Sequence, residues 1–472
     1  MIGRLGKAFL WGAVLTYLLI YLAFFLSGSP LYFGEAVSFE GLLRLLKGLP
    51  FASLPDSIPL SLTPYTPLFL IPHWILGKLF SLHQFQDVLL LARIVQFILL
   101  LGLFFSLNFI RKRFLSDDSS FLAFLSACLL VFLYSPAMVL ALRPDTVSFT
   151  CEIWAVFWML RYLTSFQRKL LALCGIFFGL AVATKFNTLG GVAGSLLFLL
   201  FSKDWRGFLG LSLSFLLSFS LFLGIQWIYL GSSFDQNILL SIQSRLWSFS
   251  EALEIYKKVF DLFLIPLGFY FFLIILGLAQ WKNRRQALYL IFVLMLSFAG
   301  AFLGQLKWGA FHNYFLGFLY LGILPASGAL FYLSKKYQKV FLLFLVFWGT
   351  LWAIRGLSVP VKIWQEKRFF PEITKLQELV SEKAPEKWLY VNADAVGLAF
   401  VGKSAIGILS EELFFTTPKL SPYYPRAKEV VLKNGGIGAY ITPCAYYPPA
   451  EWGFADSKKW NRIQTGRYCL FY

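Results

Sequence analysis

Charge is scarce in this chain, and negative charge is scarcer still. Of 472 residues only 14% are Asp, Glu, Lys or Arg, against about 25% in an average soluble domain. Asp and Glu together number 24 against 42 Lys and Arg. A water-soluble enzyme of this length is ruled out on that ground. Disorder is ruled out by the opposite excess, since disordered chains are poor in apolar residues and this one has 53 Phe and is 58% hydrophobic. A net charge of +18 suggests nucleic acid when it sits on a soluble domain. Here its placement matters more than its size.

The charge divides unevenly along the chain. Residues 1–359 carry 27 basic and 13 acidic residues, and residues 360–472 carry 15 and 11. The first part reads as a transmembrane region, 1–359, and the second as a small extracytoplasmic α/β domain, 360–472, long enough for a core of its own. A helix needs about 20 apolar residues to cross the hydrocarbon. Segments of that kind lie near 8–27, 88–110, 119–136, 146–163, 169–184, 187–202, 207–230, 259–280, 286–304, 312–333 and 339–357. The fold class is thus a multi-pass α-helical membrane protein of about eleven spans. Segment 65–82 is apolar but short, with two prolines, His73 and Lys78. It reads as a helix lying in the interface.

Orientation follows from the basic residues. With the N-terminus inside, every inner connection is basic: Arg4 and Lys7; Arg111, Lys112 and Arg113; Arg161, Arg168 and Lys169; Lys203 and Arg206; Lys282, Arg284 and Arg285; Lys335, Lys336 and Lys339. The first span reads as retained, because no small-residue cleavage site follows Leu26. The loop 28–86, carrying the interfacial helix, and the tail fall outside. The positive charge is therefore mainly a topology signal, and the partners it predicts are membrane lipid and no nucleic acid.

Of the five cysteines, Cys128, Cys151 and Cys174 lie in spans as packing residues. Cys444 and Cys469 lie in the tail beside apparent strands, where an oxidising compartment permits a disulfide or two free thiols. The tail alternates strand-like runs at 388–393, 436–442 and 467–472 with a helix-like run at 371–383, which suggests a small α/β fold. It holds no Gly-rich phosphate motif and no metal-ligand cluster.

Ionisable residues at membrane depth or at helix ends are functional candidates, and here they gather on the outer side. Glu35, Glu40 and Asp56 fall in the first outer loop, and Arg143 and Asp145 in the second. Glu152 follows Asp145 by seven residues, two helical turns, on the same face. Lys185 occupies the turn between two short apolar segments, and Lys307 and His312 flank the last outer turn. Glu40 and Arg44, at i and i+4, read as a solvated pair. This layout suits transfer from a lipid-linked phosphate. Cations stabilise the departing phosphate, and a carboxylate deprotonates the acceptor. Nucleotide donors are absent outside a bacterial cytoplasmic membrane, so a polyprenyl-phosphate sugar is the natural activated donor.

The order of features resembles the C-type (GT-C) membrane glycosyltransferases, in the protein mannosyltransferase and aminoarabinose transferase branch. The matching stretches are GEAVSFEGLLRLLKGLP at 34–50, TPYTPLFLIPHWILGKLF at 63–80, LARIVQFILLLGLFFSLNFIRKRF at 91–114, SPAMVLALRPDTVSF at 135–149, CGIFFGLAVATKFNTL at 174–189 and HNYF at 312–315. The resemblance covers about residues 8–202, and the tail matches in position only. It implies sugar transfer from a polyprenyl phosphate to a glycan, lipid or protein acceptor at the outer face of the cytoplasmic membrane. It also implies that Glu35 and Asp145 are catalytic, with Glu35 the acceptor base. Lys185 and Arg143 would then hold the carrier phosphate, and Tyr65 and His312 would line the acceptor or sugar site; by their placement alone Lys307 joins the phosphate set and Glu152 the acceptor or sugar set. Many relatives have Asp-Glu where this chain has Gly34-Glu35, which moves the carboxylate by one position and lengthens it by one carbon. No cofactor is required: one or two carboxylates per loop need no metal, and leave room for a divalent cation shared by Glu35 and Asp145. Rival readings are a glycan ligase or polymerase of the same fold, a transporter or flippase for lipid-linked sugar, and a membrane sensor. Against the transporter stand the absence of a clear internal repeat and of midplane charges.

Overall fold

The computed structural model describes part of residues 11–22, then residues 33–53, 61–114, 121–132, 141–235, 246–306, 312–336, 370–391, 398–407, 421–433, 437–445 and 460–472, with a few positions inside these ranges left out. The predicted spans 8–27 and 339–357, and the boundary at residue 359, fall largely or wholly outside the described residues.

Helices dominate. Two lie in the first loop, α1 (Phe33–Leu46) and α2 (Ile71–Leu79). The bundle follows as α3 (Phe85–Phe114), α4 (Phe121–Phe132), α5 (Asp145–Ser165), α6 (Arg168–Thr184), α7 (Leu189–Phe201), α8 (Trp205–Leu230), α9 (Phe249–Ala279), α10 (Arg284–Gly304) and α11 (Leu316–Lys336). Nine of the predicted apolar segments thus appear as helices at nearly the predicted positions. Among the described residues four helices are long and apolar enough to cross a membrane: Phe85–Phe114, Trp205–Leu230, Arg284–Gly304 and Asn313–Leu333. Several of the others are shorter than about 20 residues and owe their place to packing rather than to length.

Local chemistry fixes where helices begin. Asp204 caps α8 by accepting from Gly207 N at 2.9 Å, and Asn283 caps α10 through the N–H groups of Arg285 and Gln286. Ser248 and Glu251 form a reciprocal capping box at the start of α9. Each satisfies N–H groups that have no partner inside the helix. α6 and α8 approach closely because Gly175 and Gly179 face Ser214 and Ser218, and a methyl group at either glycine would collide with the serine opposite. Small residues of this kind bring backbones together where no hydrophobic force acts between helices. The side chains of α8 facing away from the bundle, such as Leu209, Leu213, Leu216 and Leu221, are exposed, as befits a lipid-facing wall.

The tail contributes α12 (Phe370–Lys383), α13 (Tyr424–Lys433) and a four-stranded sheet. Its strands are β1 (Trp388–Val391), β2 (Ile437–Pro443), β3 (Arg462–Thr465) and β4 (Tyr468–Phe471), ordered β1-β2-β4-β3. β1 and β2 are parallel, and β2–β4 and β3–β4 are antiparallel. β3 and α13 lie beyond the predicted elements. The run Arg-Ile-Gln-Thr of β3 has one apolar residue, so it carries no alternation to read. Cys444 and Cys469 form a disulfide, with Cα atoms 5.0 Å apart.

The tail packs on the first-loop helices. Val37 of α1 joins the sheet cluster of Tyr390, Ile406, Tyr440 and Phe471. Leu398 and Val401 join the cluster around Phe39, Leu42 and Phe69. Lys47 Nζ donates to Val401 O at 2.7 Å. Tail and first loop thus share one end of the bundle.

Candidate active site

The second loop is built around a short turn. Pro144 sets φ at −64° ahead of α5, and Asp145 opens the helix with Arg143 two positions before it. Asp145 is buried and carries three partners. Arg143 Nε stands 3.1 Å from its Oδ2. Lys185 Nζ stands 2.5 Å from Oδ1, and Asn313 Nδ2 donates to Oδ1 at 3.2 Å. The two cations and one carboxylate leave the group one positive charge in excess.

Aromatic side chains frame the cations. Arg143 donates from Nη2 to Tyr65 Oη at 3.4 Å, and its guanidinium lies 6.0 Å from the Tyr65 ring centroid. Lys185 Nζ lies 5.4 Å from the Tyr314 ring and 5.9 Å from Phe149. Rings attract cations through their negative faces while keeping water away. Burial therefore lowers the Lys185 ammonium from its ordinary value to about 8, against the pull of Asp145 and with a smaller push from Arg143.

The backbone around the cluster is pinned. Thr66 Oγ1 donates to the carbonyls of Ala183 and Thr184 at the end of α6, so the Tyr65 segment and the Lys185 turn move together. Ser148 Oγ donates to Ala181 O at 2.8 Å, and Thr188 Oγ1 returns to Lys185 O at 2.9 Å. Gln96 Nε2 donates to Thr146 Oγ1 at 2.6 Å and ties α3 to the start of α5.

Glu35 is fully buried, as Asp145 nearly is. Its Oε1 accepts from Leu142 N at 3.3 Å, and its Oε2 lies 4.0 Å from Arg93 Nη2, itself buried. Its carboxylate therefore holds the second loop one residue before Arg143. Glu152, expected at the acceptor or sugar, is likewise enclosed, packed against Gly191 and Gly317. Glu40 differs from the solvated pair expected of it. It is buried, and Ser61 Oγ donates to its Oε1 at 3.0 Å.

Lys307 lies outside the described residues, and so does the side chain of His312. His312 opens the 3-10 turn His312–Phe315, and its two successors, Asn313 and Tyr314, make the contacts to Asp145 and Lys185. Asn313 carries no charge to mark it in the HNYF run, and Arg93 stands within the motif at 91–114 with no partner legible in the sequence. Among the described residues no three His, Cys, Asp or Glu side chains gather as a metal site would require.

Residues 66–229 match the family model described as dolichyl-phosphate-mannose-protein mannosyltransferase. No curated protein matches the sequence. Among solved structures, ArnT from Cupriavidus metallidurans bound to undecaprenyl phosphate is 13% identical, with a TM-score of 0.63, covering 98% of this chain and 97% of that one. Its apo form gives 14% identity and a TM-score of 0.64 over the same shares. The oligosaccharyltransferase AglB from Archaeoglobus fulgidus, in complex with an inhibitory peptide and a dolichol-phosphate, is 11% identical, with a TM-score of 0.53 over 99% of this chain and 74% of that one. This chain therefore shares the fold of ArnT and AglB, a helical membrane bundle with a small α/β tail, and residues 66–229 carry the sequence pattern of the dolichyl-phosphate-mannose-protein mannosyltransferase family.

Proposed function

We propose that this protein is an integral membrane glycosyltransferase that moves a sugar from a polyprenyl-phosphate carrier to an acceptor at the outer face of the cytoplasmic membrane. The observation that carries the reading is the Arg143–Asp145–Lys185 cluster. It lies at the end of the bundle shared by the first loop and the tail, where a lipid headgroup would stand. ArnT in the same fold was solved with undecaprenyl phosphate, and AglB with a dolichol-phosphate.

The chemistry follows from the charges. The acceptor oxygen attacks the anomeric carbon, forming a carbon–oxygen bond as the bond from that carbon to the phosphate oxygen breaks. The bonding electrons pass to the phosphate. Arg143 and Lys185 meet that growing charge in a dry, aromatic-walled site, where it is worth far more than in water. The arriving phosphate competes with Asp145 for the same cations. This releases Asp145 from its ion pairs and restores its basicity, and Asp145 takes the acceptor proton. Glu35 keeps the second loop in register through Leu142 and Arg93. Tyr65 and Asn313 orient Arg143 and Asp145.

The orientation places the N-terminus and the basic connections inside and the tail outside. The fold is shared by enzymes that transfer whole glycans, but nothing in the cluster calls for a larger donor. The test is a reconstituted assay with a lipid-linked sugar. Asp145→Asn and Lys185→Ala are expected to lose transfer while remaining folded, and full activity in both overturns the proposal.

A further inference from the structure

Glu152 is a carboxylate with no place in the reaction just described. It lies two helical turns below Asp145 on α5, about 10 Å along the axis, and is 2% exposed. A buried carboxylate is costly unless it is held by donors, and the neighbours of Glu152 show what holds it. Gly191, the third residue of α7, donates its backbone N–H to the carboxylate. That N–H lies in the first turn of its helix. A carboxylate there also meets the positive end of the helix dipole. A methyl group at Gly191 would collide with Glu152 Oε1. On the other side Glu152 Oε2 lies 3.3 Å from where a methyl at Gly317 would stand, in the first turn of α11.

The two helix starts have something in common. Six residues before Gly191 stands Lys185, and four residues before Gly317 stands Asn313. These are the two side chains that reach Asp145 Oδ1 from outside its own loop. Tyr314, next to Asn313 in the chain, lays its ring against Lys185.

We propose that Glu152 is a positioning residue. It holds the first turns of α7 and α11 at α5, so that Lys185 and Asn313 arrive at Asp145 together. Glu152 touches neither donor nor acceptor. Its importance for carrier affinity rests on the reading of the Lys185 cluster as the phosphate site.

The test uses the full-length protein in nanodiscs, with undecaprenyl phosphate as probe. Glu152→Ala should weaken binding about tenfold, the loss of one buried contact, and lower the melting temperature. Glu152→Gln keeps an oxygen for the Gly191 N–H and should stay within about threefold of the parent. Gly191→Ala keeps the carboxylate but displaces it, and should weaken binding as Glu152→Ala does. It also answers the question if Glu152→Ala does not fold. Hydrogen exchange should quicken in Glu152→Ala within 185–191 and 312–317 together, while the rest of the protein is unchanged. Parent affinity in both Glu152→Ala and Gly191→Ala, or exchange unchanged in those two segments, overturns the proposal. Lys185→Ala separates the readings. If it too binds like the parent, the phosphate assignment fails, and the exchange result alone judges the role of Glu152.

Discussion

Lys185 Nζ and Asp145 Oδ1 stand 2.5 Å apart, although 40 residues separate them in the chain. The pair exists because Thr66 fastens the end of α6 and Ser148 fastens the start of α5 to Ala181. Arg143 and Lys185 share the one carboxylate of Asp145.

On the proposed reading, Lys185→Ala removes one of two charges that hold the carrier phosphate. A charge-assisted contact of this kind is worth about 1.5–3 kcal/mol, so the dissociation constant for undecaprenyl phosphate should rise roughly 10- to 100-fold. Equilibrium binding in nanodiscs measures it. An unchanged constant removes Lys185 from the site.

The same ammonium predicts a pH dependence. Burial brings Lys185 down to about 8 in the free protein. Phosphate binding needs the protonated form. Affinity should therefore be full below that value and fall as pH rises through about 8 to 9. Lys185→Arg keeps its charge throughout this range and should flatten the fall. A flat profile for the parent protein between pH 7 and about 9 contradicts the assignment.

Glu35 and Arg93 offer a way to tell a base from a strut. Glu35→Gln removes the charge that faces the buried Arg93 across 4.0 Å. Both stability and transfer should drop. If Glu35 serves to hold the second loop, adding Arg93→Gln rebalances the buried charge and should restore part of both. Were Glu35 the acceptor base, the double variant would regain stability without regaining transfer. Thermal unfolding and turnover, measured on both variants, decide between the two.

The Cys444–Cys469 bridge closes a loop with a sequence separation of 25. In the chain-entropy account a loop of that size contributes about 3 kcal/mol. Replacing both cysteines by Ser should lower the melting temperature of the tail, with a smaller effect on the bundle. Intact mass with and without reductant reports the bridge itself. Two free thiols in the unreduced protein would refute it.

Much of this was legible in order and spacing. The nine apolar segments seen as helices are long runs whose composition leaves no other structure in lipid. Arg143 and Asp145 are two residues apart, so their joint placement follows from the chain. The three strand-like runs of the tail read correctly because their apolar residues are continuous, and the polar β3 did not. His312 drew attention because it titrates, whereas Asn313 carries no charge and shows its value only when its amide is seen on Asp145.

The sequence by itself determined that this protein lives in a membrane, that its basic residues mark helix ends, and that a few acids and cations are gathered toward one side. Hydrophobic burial and charge in lipid are properties of composition, and composition is local. The partnership of each charge was decided only in three dimensions. Glu35 turned inward to Leu142 and Arg93. Glu152, on the same helix face as Asp145, packs against two glycine-walled helix starts. A buried charge is settled by the donor that packs against it, and that donor comes from a helix far away in sequence.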